Sequence, residues 1–82
     1  MRWYLLATQE IQLQNDFITL GQLLKDVGAI STGGQAKWFL QETAVQVDGS
    51  PEDRRGRKLY PGMRVVIPDV GTIALVEGHH VS

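Results

Sequence analysis

Apolar residues between Ile18 and Gly28 recur at helical spacing. Leu20, Leu23, Leu24 and Val27 stand at i, i+3, i+4 and i+7, which puts all four on one stripe of a helix. Thr19 with Gln22 three places on reads as a capping box, and Ile18 is positioned to staple onto Leu23. Gly28 supplies a left-handed exit. Lys25 in the last turn suits the helix dipole, whereas Asp26 opposes it slightly. A second apolar face, Ala36, Phe39 and Leu40, predicts a helix from about Gly33 to Glu42, with Thr32 and Gln35 as a second capping box. Gly33 and Gly34 in its first turn are poor helix formers, by on the order of 1 kcal/mol each in a helix interior and less at an end.

Elsewhere the period is two. "EIQLQ" sets Ile11 and Leu13 on one face, and with the bulky "RWYLLA" before it predicts a strand or hairpin within Met1–Asp16, turning at "TQE". "AVQVDG" turns Val45 and Val47 inward and ends in the turn pair Asp48-Gly49. Pro61-Gly62 marks another turn, "MRVVIP" and "TIALVE" are strands around a loop at Asp69–Gly71, and "GHHVS" is a frayed tail. The expected fold class is α+β: two helices packed on a small, mostly antiparallel sheet, with an added amino-terminal strand or hairpin, in one domain over residues 1–82.

Composition narrows the function. A chain of 82 residues buries only about 60% of the surface its unfolded form exposes. It has no cysteine, so neither a disulfide nor a thiolate metal site can staple it, and a reducing compartment fits. No apolar run approaches the roughly 20 residues of a membrane helix, and the apolar start is too short for a signal peptide. The expectation is a cytoplasmic protein with no membrane association. A substrate pocket is hard to house at this size. His79 and His80 are adjacent and converge poorly on one metal, and no nucleophile–base pair or paired-carboxylate motif stands out. A binding module is therefore expected rather than an enzyme, with no cofactor and no metal.

Charge is the informative departure. The net charge is −1, yet "PEDRRGRKLYPGMR" carries five cations (Arg54, Arg55, Arg57, Lys58, Arg64) against Glu52 and Asp53, leaving +3 there and −4 over the rest. Guanidinium forks suit phosphate oxygens, and Gly56 lets the arm bend. Charge runs are usually solvated surface. Against an acidic remainder this one favours a polyanion, and an acidic protein partner is the alternative. Glu52 and Asp53 are expected to pair with the neighbouring arginines.

Two other features carry two readings each. Thr32, Gly33, Gly34 and Lys37 describe an open helix start that a phosphate fits, but the glycines equally make a tight inter-helix turn, which is the reading the local sequence favours. Trp38 lies opposite the Ala36/Phe39/Leu40 face, where beside Lys37 it could stack a nucleobase. The favoured reading packs it under the amino-terminal extension, which must dock somewhere.

Taken in order, the helix ending at Gly28, "GGQAK", "VQVDG", "RRGRKLYPG" and the strand after it closely resemble the RNA-binding domain named after the fourth protein of the small ribosomal subunit, the S-four domain. Within that superfamily the chain looks most like small stand-alone bacterial proteins of the YaaA type. The resemblance covers about Ile11 to Ile67. It implies a helix pair in an alpha-L motif whose surface meets structured RNA, ribosomal or transfer RNA, largely through phosphates. Carried over, that surface comprises Thr19, Gln22 and Lys25 of the first helix and Thr32, Gly33, Gly34, Gln35 and Lys37 of the second. The arm cations Arg54, Arg55, Arg57 and Lys58 border it. Many such domains have Arg-Leu-Asp where this chain has Thr19-Leu20-Gly21, and Ser-Arg where it has Thr32-Gly33. Two familiar cationic positions are thus neutral, which shifts the electrostatic burden to the arm.

Overall fold

The computed structural model describes residues 8–78. Its chain order is β1 (Gln9–Leu13), β2 (Ile18–Thr19), α1 (Leu20–Asp26), a 3-10 turn (Gly33–Gln35), α2 (Ala36–Glu42), β3 (Gln46–Val47), β4 (Ser50–Pro51), β5 (Lys58–Leu59), β6 (Arg64–Ile67) and β7 (Gly71–Glu77). The architecture is α+β, with two helices and a mostly antiparallel sheet.

The five-stranded sheet runs β1-β7-β6-β3-β4, and β2 and β5 form a separate antiparallel pair. Only β1 is parallel to its neighbour, with Gln9 opposite Ile73 and Leu13 opposite Glu77. The first arm of the hairpin expected within Met1–Asp16 lies outside the described residues. Its proposed turn is corrected: Gln9 and Glu10 belong to β1, because they register against Ile73 and Ala74 of β7. Backbone groups that pair in a ladder cannot also reverse the chain.

Each element follows from its pattern. In α1 the buried residues are Leu20, Leu23 and Leu24, with Val27 half-buried against the same core. The Thr19 hydroxyl accepts from the Gln22 amide at 3.3 Å, but the Gln22 side chain bonds Asp26 at 2.8 Å, so only half of the expected capping box forms. Gly28 ends the helix at φ 80°, the left-handed conformation that a β-carbon disfavours. The second helix is tightened at its start: Gly33–Gln35 is 3-10, and the regular helix begins at Ala36. There the Gln35 side chain accepts from the amides of Thr32 (3.1 Å) and Ser31 (2.6 Å).

Sheet and helices share one core. Alternation along β6 buries Val65 and Ile67, β7 contributes Ile73 and Leu75, and Val45, Val47 and Leu59 join Leu20, Leu23, Leu24, Ala36 and Leu40. Asp48 and Gly49, at φ 51° and 85°, make the tight turn from β3 to β4. The tryptophan expectation is overturned. Trp38 is 64% exposed, because it faces away from the side of α2 that buries Ala36 and Leu40.

Candidate nucleic-acid interface

The basic arm joins β4 to β5 and is tied down at both ends. At its root the Glu52 amide donates to the Val45 carbonyl at 2.9 Å. At its far end β5 pairs with β2, Lys58 opposite Thr19 and Leu59 opposite Ile18. Between them Arg54 to Arg57 form a turn in which the Arg57 amide donates to the Arg54 carbonyl at 3.1 Å. The turn's centre, Arg55-Gly56, therefore projects from a fixed base.

One carboxylate organises that turn. Glu52 Oε2 accepts from Arg54 Nε at 2.9 Å and from the Arg54 amide at 3.1 Å, while Oε1 accepts from Arg57 Nη1 at 2.7 Å and Arg54 Nη2 at 3.3 Å. Glu52 is itself buried, so one anion holds the guanidiniums at the first and last positions of the turn. Its carboxyl is lowered from 4.5 to about 2. The chief cause is the hydrogen bond from the Arg54 side chain. Burial acts against it, and the Arg54 amide and the Arg57 side chain add to it. Arg54 is pushed up in return, by the same hydrogen bond first.

This divides the four arm cations that the sequence treats alike. Arg54 and Arg57 share Glu52, so part of their charge is compensated internally. The reason is local: residues two and five places from Glu52 come within reach once the turn closes. The expected pairing of Glu52 with nearby arginines is observed. Among the described residues Asp53 makes no ion pair, and neither do Arg55, Lys58, Lys25 or Lys37.

The arm docks on the start of α1 through main chain. The Leu20 amide donates to the Arg57 carbonyl at 2.9 Å and the Gly21 amide to the Arg55 carbonyl at 2.8 Å. With Gln22 capped by Thr19, the first amides of α1 are satisfied internally. Docking brings residues from three segments together. Thr19, Gln22, Lys25, Gly33 and Arg55, with Gly21 and Gly56, line one shallow cleft of about 360 Å³. Arg54, Arg57 and Lys58 line an adjoining one of about 460 Å³, with Gly56 and Tyr60. Thr32, Gly34, Gln35 and Lys37 line neither and lie exposed along the start of the second helical segment.

Three residues of this region escape a reading by residue type. Gly21 has no charge to notice, yet a β-carbon there would sit 3.3 Å from both Cβ and O of Arg55. Phe17 and Tyr60 look like core aromatics but are 37% and 44% exposed, with ring centroids 6.0 Å apart. The Lys58 ammonium lies 4.9 Å from the centroid of the Phe17 ring. The signal for the pair was present in the turn chemistry, since Tyr60 directly precedes Pro61-Gly62. No group of three or more His, Asp or Glu suited to a metal occurs among the described residues, and His79 and His80 lie outside them. No helix among the described residues is long and apolar enough to cross a membrane.

The S4 domain matches residues 11–76, so the similarity extends past Ile67 through most of β7, the strand that joins β1 to the rest of the sheet. The chain is 48% identical over 66 residues to a Bacillus subtilis (strain 168) protein named "Probable ribosome maturation protein RlbA", covering 80% of this chain and 93% of that relative. With most of its length inside that match, this chain belongs to the S4 domain family.

Proposed function

We propose that this protein is a non-catalytic RNA-binding module that holds structured ribosomal RNA through its phosphates and acts in ribosome maturation in the bacterial cytoplasm. The observation that supports the binding mode is the docked arm. Arg55 and Lys25, neither paired with a carboxylate among the described residues, line one cleft with the hydroxyl of Thr19, the amide side chain of Gln22 and the bare backbone of Gly33. Cations beside neutral hydrogen-bonding groups suit phosphate oxygens, which position an RNA without reading its sequence. Family membership and the ribosome maturation name of the Bacillus relative support the choice of RNA over an acidic protein.

In this reading the roles differ along the surface. Arg55, Lys25 and Lys58 supply positive charge with no carboxylate partner among the described residues, and Arg54 and Arg57 are held in fixed orientations by Glu52. Thr32, Gly34, Gln35 and Lys37 extend the surface along the second helical segment. The first α1 amides make no contact, since arm carbonyls accept from those of Leu20 and Gly21 and the Thr19 hydroxyl from that of Gln22.

Titration of a folded ribosomal RNA fragment at several salt concentrations tests the proposal. Neutralising about four phosphates gives a slope of log affinity against log salt near −3 to −4. Binding with a flat salt response, or binding to an acidic polypeptide in preference to the RNA, overturns it.

A further inference from the structure

We infer that the face of Tyr60 is a stacking platform for one unpaired nucleobase, with Arg54, Arg57 and Lys58 holding the phosphates on either side of it. The inference rests on the RNA-binding reading and narrows it to RNA that offers an unstacked base.

The platform is built, not incidental. Leu59 before it is fully buried in the core and paired with Ile18. After it, Pro61-Gly62 form a turn with Gly62 at φ 96°, across which the Met63 amide donates to the Tyr60 carbonyl at 3.1 Å. The Tyr60 amide in turn donates to the Met63 sulfur at 3.4 Å. Both main-chain groups of Tyr60 are thus tied to one residue across the turn. Its ring is supported by Phe17 at 6.0 Å and a 50° tilt. It nonetheless remains 44% exposed. Ordering such a side chain on a ligand costs little entropy, because only two torsions are free and the backbone is already fixed.

The surroundings select the ligand. The cleft that Tyr60 lines has three cations on its walls and Gly56 between them, and a β-carbon at Gly56 would meet nothing within 4 Å. Glu52, the carboxylate in contact with two of these cations, has both oxygens taken by Arg54 and Arg57. An aromatic face framed by guanidiniums and an ammonium matches a nucleotide, with a flat apolar base and an anionic backbone on either side. A base inside a duplex has both faces covered, so only a bulged, looped or terminal base can reach Tyr60.

The test uses two GC-rich RNA hairpins that differ by one bulged adenosine, titrated against the full chain. The wild-type protein is expected to bind the bulged hairpin roughly 5- to 150-fold more tightly, the range for stacking one base. Tyr60→Leu keeps apolar contact with Phe17 but has no ring face, and should bring the ratio of the two affinities close to one. Tyr60→Trp should retain the preference. Equal wild-type affinity for both hairpins, or a preference that survives in Tyr60→Leu, overturns the inference while leaving phosphate binding intact. Failure of the wild-type protein to bind either hairpin overturns the RNA reading itself.

Discussion

The amide of Gly21 donates to the carbonyl of Arg55 at 2.8 Å, so the first helix and the centre of the basic arm are joined through main chain. The bond forms where a side chain would be crowded, since a β-carbon at position 21 would lie 3.3 Å from Arg55 Cβ and 3.6 Å from Ala36 Cβ. It also converts a loop of like charges into part of the folded body. The cations then meet a ligand from fixed positions, and less conformational entropy is lost on binding.

Gly21→Val is expected to lever the arm away from α1. Added branches have no free space on the Arg55 side, and overpacking of this kind costs about 1–3 kcal/mol. Urea denaturation should show the loss, and hydrogen exchange at Leu20 and Gly21 should quicken. In Gly21→Ala the tighter contact is opposed by a helix-propensity gain of less than about 1 kcal/mol, since position 21 lies in the first turn. Its stability should stay close to wild type.

Charge reversal separates Arg55 from Arg54. Arg55→Glu removes a cation with no carboxylate partner among the described residues, so thermal stability should hardly move. RNA affinity should fall by an order of magnitude or more, with the salt slope reduced by about 1. Arg54→Glu instead sets a carboxylate beside the buried Glu52, and should lower both melting temperature and affinity. Matched melting temperatures for the two variants would show that Glu52 does not organise the turn.

Glu52 sets a pH dependence with a definite sign. Its carboxyl is held near 2 in the folded protein, against an ordinary value of 4.5. A depressed folded value means stability that is fully present above about pH 4.5 and is lost as pH falls towards about 2. The urea midpoint should therefore drop over that window, and in Glu52→Gln this part of the drop should be absent. An unchanged pH profile in the variant would contradict the proposed ion pairs.

Gly34→Glu tests the start of the second helical segment. The nearest heavy atom to an added β-carbon is the Thr32 hydroxyl at 3.9 Å, so the side chain fits and stability should be retained. A carboxylate facing the RNA backbone should weaken binding measured by fluorescence anisotropy. Wild-type affinity in this variant would remove residues 32–37 from the interface.

Much of this was legible in the chain. The α1 stripe, the Gly28 exit, the inward Val45 and Val47 and the Asp48-Gly49 turn are local features, and each appears where its pattern predicts. Trp38 is instructive, because periodicity alone turned it away from the helix's buried face. Only the assumption that the amino-terminal extension needed cover reversed that reading, and the structure sides with periodicity. The parallel partnership of β1 with β7 had no local signal, since it joins residues about 60 positions apart in the chain. A strand's alternation shows which face is apolar but not which edge it pairs with.

By itself the sequence determined the elements, the apolar faces that make the core, and the gathering of positive charge between Pro51 and Arg64, since each follows from spacing of three to four residues, spacing of two, or simple counting. Only the tertiary structure decided what that charge does. It buried Glu52 between two guanidiniums, left Arg55 beside Gly21 without an ion pair among the described residues, and held Tyr60 outward over its turn. The reason is physical: hydrogen bonds, ion pairs and burial depend on distance in space, and folding brings α1, the arm and β2 to the same place from separate parts of the chain.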